Sequence, residues 1–236
     1  VPCLLLSLYL HRVIPVAVPA SKAPKLLVVL RKFFGFGWPI TIWSGIQASQ
    51  AFMERSVLND HMGALEFGHF ISAADLVVRG VGLTLMPLVT VLHPKIMADI
   101  GNNTRIHAEG MRLIHQGITI TVLGGIFLTG LLIALKGTIT SLFPGFAEVD
   151  RLTMIMLSAS SSLWVIALLV HKPLEVRGAV LIMSLCLGLA MALQITVLKI
   201  LLNYLGPIAM PVASGIAALV YITGCLLADN WLDRKI

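Results

Sequence analysis

Six side chains that could do chemistry lie in runs that are otherwise apolar: Gln47, Gln50, Glu54 and Arg55 toward the end of one run, Asp75 and Arg79 inside the next. An ionised side chain at membrane depth costs about 2.5–3.5 kcal/mol or more unless it meets water or a partner. Charges in such places need a purpose. Trp43, Gln47, Gln50 and Glu54 follow one another at intervals of four, three and four, which sets them on one face of a helix. Ser72, Asp75, Arg79, Gly82 and Met86 do the same in the following run, where Asp75 and Arg79 also form an i, i+4 pair. Counted from Phe70, Arg79 lies about 14 Å along its helix, near the middle of a bilayer.

Other chemistries find no footing. The serines of LSASSSLW (157–164) have no His–Asp partner pattern and no nucleophile elbow, so they read as close-packing or cleft-hydrating groups. Seven histidines show no H-E-x-x-H spacing, and no glycine-rich phosphate loop is present. Cys3, Cys186 and Cys225 have no paired spacing, which argues against a zinc site or a disulfide framework. The sequence therefore predicts no metal, no cofactor and no enzyme.

The elements that must position these groups follow from composition. At 58% hydrophobic and 12% charged residues, 236 residues have too little polar surface for a soluble domain. The expected class is all-α: a polytopic helix bundle with six spans, at 35–57, 70–92, 113–135, 152–170, 179–202 and 206–228. Residues 1–10 read as the last turns of a preceding helix, and the chain as the C-terminal part of a longer one. Residues 1–34 thus form a remnant plus a basic connector broken by Pro15, Pro19 and Pro24, and 35–236 the six-helix lobe. In the last span Ala209, Ala213 and Ala217 make a small-residue stripe for close packing.

A net charge of +6 could suggest nucleic acid, yet the basic residues fall between hydrophobic spans instead of on one aromatic-laced face. Topology explains them: alternate connectors carry 12 Lys and Arg on one side and four on the other, with Arg79 between. The richer side, with the C-terminus, is expected to be cytoplasmic.

The run from Phe36 to Val77 resembles a known family. Phe36, Gly37 and Pro39 open a helix, Glu54 and Arg55 form an acidic–arginine pair, and Gly63, Ala64, Gly68 and Phe70 turn into the next helix. This pattern, followed by Pro87 and Pro94, is similar to the seventh and eighth helices of bacterial polysaccharide flippases. These belong to the multidrug, oligosaccharidyl-lipid and polysaccharide exporter superfamily. The resemblance spans the chain in helix order and is sharp from about residue 33 to 95. It implies a two-lobe carrier of the bacterial inner membrane that flips a polyprenyl-diphosphate-linked glycan. It also implies membrane lipids around the carrier, a coupling proton or sodium ion, and a second lobe from the same protein or a second copy.

On that reading the substrate-binding residues are Arg79, Arg55, Asp75, Gln47, Gln50 and Glu54, with Arg79 and Arg55 meeting the diphosphate. Two bland alternatives stand beside it: Asp75 and Arg79 neutralise each other to lock two helices, and the glutamines are interhelical glue. A multidrug exporter is a neighbouring function. A membrane polymerase or ligase acting on lipid-linked glycans is the enzymatic rival, but such enzymes need a large outer loop, and the longest here runs only from 136 to 151.

The charge asymmetry predicts that cysteines introduced near Lys22 and near Asn102 label with impermeant maleimide only from the cytoplasm, and one near Gly145 only from outside. The reverse pattern would overturn the orientation.

Overall fold

The computed structural model describes residues 26–99 and 108–234, with side chains from residue 37 onward except those of residues 99 and 148. The expected remnant, most of the basic connector and Cys3 lie outside the described residues. The chain divides into two compact units, Val1–Trp38 and Pro39–Ile236.

Among the described residues there is no strand. Six long helices follow the expected order: α1 (Leu26–Asn59), α2 (Ala64–Asp99), α3 (Ala108–Ala134), α5 (Arg151–Val170), α7 (Val180–Leu205) and α8 (Ala209–Asp233). Short helices α4 (Lys136–Leu142) and α6 (Lys172–Val176) and two 3-10 turns, Pro144–Glu148 and Gly206–Ile208, fill the connections. Helix α1 starts nine residues before the expected span, because LLVVL after Pro24 has nothing in it to stop a helix. Helix α2 likewise overruns 70–92 at both ends and carries Pro87 and Pro94 within it.

Among the described residues four stretches are long and apolar enough to cross a membrane: Ala64–Ala98, Ala108–Ala134, Arg151–Val176 and Val180–Asp233. The last contains α7 and α8, of 26 and 25 residues, each about 38 Å long at the usual helical rise. Six crossings are expected from the sequence, and α1 is not among these four stretches.

Helix α5 sits at the centre, packed against α2, α3 and α8, while α7 packs on α8. Small residues allow this. Ala209, Ala213 and Ala217 of α8 are fully buried, as their spacing predicts. Gly125 of α3 faces Ser162 of α5, and the Thr129 hydroxyl donates to the Ser158 hydroxyl at 2.7 Å one turn away. Helix α5 begins at Asp150, whose carboxylate accepts the Thr153 backbone N–H at 2.6 Å. Its hydrogen bonds with the Thr153 side chain and backbone N–H hold that exposed carboxyl below the usual range. Gly206 ends α7 at φ +59°, a backbone region open to glycine and strained for other residues.

The Phe-Pro-Gly-Phe segment forms the first of the 3-10 turns, and its Phe146 plugs the core between α2 and α5. Gly145 lies so close to His69 that an added Cβ would come within 3.2 Å of the His69 Cα.

A Cβ on Gly125 would meet the Ser162 Oγ at 2.5 Å, whereas one on Gly130 meets nothing. Gly125→Val is therefore expected to cost about 1–3 kcal/mol and Gly130→Val almost nothing, as measured by thermal unfolding in detergent.

Candidate functional site

Glu54 is the organising residue of the polar groups inside the bundle. Its side chain lies on the face of α1 predicted by its spacing and is only 5% exposed. Gln50, one turn before it, donates its amide to Glu54 Oε1 at 3.1 Å, and Gln194 of α7 donates to the same oxygen. Gln50 also donates to the Gln194 amide oxygen at 3.3 Å, closing a triangle. A buried carboxyl and two amides, none with a hydrocarbon alternative, thus satisfy one another.

The triangle borders a cavity of about 300 Å³ between α1, α2, α5 and α8. Gln47, Gln50 and Glu54 line one wall and Gly82 and Met86 another, with Ser160, Ser161 and Ser214 opposite. The Trp164 indole closes it, its N–H donated to the Ser214 hydroxyl at 3.0 Å. The expected glutamine face and the lower half of the expected α2 face therefore share one partly polar cavity.

The upper half of the α2 face goes elsewhere. Ser72, Asp75 and Arg79, with His69 of the same helix, line a larger cavity, about 720 Å³, whose other wall is the 142–146 segment. The five α2 residues recur every 3.5 residues, and a straight helix drifts about 20° per heptad against such a repeat. The two halves consequently meet different neighbours.

The charge pairing also differs from the local expectation. Asp75 is held by Arg55 of α1, whose Nη2 reaches both carboxylate oxygens at 2.7 and 2.8 Å. This interhelical pair ties α1 to α2. Arg79 makes a longer contact with Asp75, 3.3 Å, along the same helix, and its side chain is 74% exposed. An i, i+4 pair on one helix does not join two helices, so the lock expected of Asp75 and Arg79 is formed by Arg55 and Asp75. Two guanidinium groups share one carboxylate.

Trp43, at the other end of the predicted face, donates its indole N–H to the Tyr221 hydroxyl at 3.2 Å. That hydroxyl lies 3.1 Å from Nδ1 of His171, and the Trp43 and His171 rings meet edge to face. Lys172 and Glu175 pair beside them at 2.5 Å. Gln194, Tyr221 and His171 are the residues that sequence reasoning passed over as members of these networks. Gln194 carried a usable signal: an amide in the middle of a long apolar span needs a partner.

Among the described residues no cluster of His, Cys, Asp or Glu could hold a metal ion. Comparison with protein families, curated proteins and solved structures finds no match for the chain.

Both partners of the Arg55–Asp75 pair are part-exposed, which limits its worth to about 1 kcal/mol. A double-mutant cycle of Arg55→Met with Asp75→Asn should give a coupling of that size, and one of Arg79→Met with Asp75→Asn at most about half as much. Unfolding in detergent measures both.

Proposed function

We propose that residues 35–236 form one six-helix lobe of a carrier in the bacterial cytoplasmic membrane. The carrier moves a polyprenyl-diphosphate-linked oligosaccharide from the cytoplasmic side outward. A lipid-linked glycan has a tail at home in hydrocarbon and a charged, sugar-bearing head that is not. Its carrier must offer the head a wet and partly cationic cleft.

The observation that carries this reading is the imbalance at Asp75. Arg55 already engages both oxygens of that carboxylate, so Arg79 keeps most of its five N–H donors for something else. It presents them to a cavity that also holds Ser72 and His69. A guanidinium fork at membrane depth with donors to spare suits a diphosphate, whose oxygens accept two parallel hydrogen bonds. The cavity holding Gln47, Gln50 and Glu54 supplies amide and hydroxyl groups of the sort that sugars engage.

The proposal gives α1 and α2 the face toward a second lobe, from the same protein or a second copy. Arg79 on α2 and Ser44 on α1 are exposed, and polar groups of this kind belong against protein or water, not lipid. Two lobes rocking about such a face would give each side of the membrane access in turn.

The test is glycan export in cells carrying variants that accumulate normally. Arg79→Ala is expected to lose at least about tenfold in export, and Asp75→Ala combined with Arg79→Ala should not restore it. Recovery in the double variant would reduce Arg79 to a charge balance for Asp75 and end the diphosphate assignment.

A further inference from the structure

The cavity that holds Arg79 has two walls of opposite character. Helix α2 supplies the polar one, with His69, Ser72, Asp75 and Arg79, and the 142–146 segment faces it with Leu142, Phe143 and Pro144. Two of the polar groups are already engaged. The Ser72 hydroxyl donates to the Gly68 carbonyl at 2.7 Å, and Arg55 takes both oxygens of Asp75. An anion entering the cavity meets the Arg79 guanidinium.

The apolar wall is a fixed part of the fold. Phe143 donates its backbone N–H to the Ile139 carbonyl at 2.8 Å, its own carbonyl accepts from the Phe146 N–H at 2.9 Å, and the Phe146 side chain is buried in the core. Lys136 donates its ammonium to the Val149 carbonyl at 2.6 Å, which ties the two ends of the connection together. Gly145 lies against His69, so the turn is also seated on α2. From this anchored turn Leu142 and Phe143 stand unburied, 71% and 55% exposed. A cavity for a polar head alone would be polar on both sides, and a groove for bilayer lipid alone would be apolar on both. This one sets a guanidinium opposite two large hydrocarbon side chains.

We propose that Leu142 and Phe143 form a subsite for the first isoprene units of the substrate lipid, next to the diphosphate held by Arg79. This rests on, and deepens, the reading of Arg79 as the diphosphate-binding group. His69 and Arg79 stand ten residues apart on α2, about 15 Å along the helix. That length suits a diphosphate together with the prenyl carbons attached to it. The volume agrees, since 720 Å³ is the share of about 24 water molecules at ~30 Å³ each in the liquid.

The subsite gives the carrier a choice among diphosphates. A nucleotide-linked sugar carries the same diphosphate with a nucleoside in place of the prenyl chain, and a guanidinium alone does not tell the two apart. The 142–146 wall does. A nucleoside laid against Leu142 and Phe143 leaves ribose and base polar groups without partners, which is costly, whereas a prenyl chain gains apolar contact there. Leu142 and Phe143 are thus specificity determinants, and Arg79 is the common anchor.

The experiment uses the full-length protein in nanodiscs, with geranyl diphosphate, inorganic diphosphate and uridine diphosphate as probes. Wild type should bind geranyl diphosphate about tenfold more tightly than the other two, a modest return for covering two large apolar side chains. Leu142→Ser combined with Phe143→Ser removes only exposed side chains and opens no core cavity. That variant should lose the preference for geranyl diphosphate and bind inorganic diphosphate as wild type does. Arg79→Ala should weaken all three probes. A geranyl diphosphate carrying a diazirine on its chain should photolabel the 136–149 peptide, and excess unlabelled geranyl diphosphate should suppress the labelling while phosphatidylglycerol in the disc does not.

Equal binding of geranyl and inorganic diphosphate by wild type, or an unchanged preference in the double serine variant, would overturn the subsite and leave the diphosphate reading standing. Leu142 and Phe143 would then be interfacial anchors. Parallel loss of geranyl and inorganic diphosphate in that variant would overturn it too, by making the segment a support for the anion site. Labelling suppressed by phosphatidylglycerol would assign the wall to bilayer lipid, with the same consequence. No binding of any of the three probes by wild type would overturn the diphosphate reading, and the subsite with it.

Discussion

A carboxyl inside a bundle that faces hydrocarbon has only protein, or water held by protein, to bond with. Glu54 meets that constraint through Gln50 on its own helix and Gln194 on α7. Much else depends on this arrangement. It holds the last turns of α1 against the middle of α7, while Trp43 and Tyr221 fasten α1 to α8 and Arg55 and Asp75 fasten it to α2. Each tie is polar. Interhelical hydrogen bonds in membranes are worth about 0.6 kcal/mol on average, so such a helix is held in place firmly enough to be ordered and weakly enough to be repositioned. Helices α5 and α8, by contrast, meet through Ala213, Ala217 and the small serines, where backbones approach closely and dispersion does the holding.

This contrast suggests a division of labour within the lobe. The α3, α5 and α8 packing is scaffold, with Gly125 against Ser162 and Phe146 as a plug beneath the 142–146 segment. The α1 and α2 pair carries the charges and most of the cavity-lining polar groups. The proposed carrier would need both parts, one rigid enough to keep a polar site intact in lipid and one able to shift when the site is loaded.

The helical class was legible in the sequence because it is written in hydropathy, although six crossings were expected and four stretches among the described residues meet that measure. The span expected at 152–170 is α5 to within a residue, and that at 179–202 is most of α7. Helix ends were less legible where amphiphilic flanks continue a helix past its apolar run, as at both ends of α2. The candidate site was half legible. Periodicity placed Gln47, Gln50 and Glu54 on one face, and they do share a cavity. Their partners were not legible, because Gln194 and Tyr221 lie 140 or more positions away and no local pattern specifies such a contact. For the same reason Asp75 was matched in sequence to Arg79 four residues on, when the turn between α1 and α2 brings Arg55 to it with better geometry.

The most direct measurement is movement of a fluorescent polyprenyl-diphosphate oligosaccharide across liposomes containing the purified full-length protein, scored by quenching of the label exposed on one leaflet. The account predicts that wild type equilibrates the lipid between leaflets much faster than protein-free liposomes, with the glycan recovered chemically unchanged. Leaflet exchange no faster than in empty liposomes would contradict it, as would recovery of glycan lengthened, transferred or cleaved by the protein.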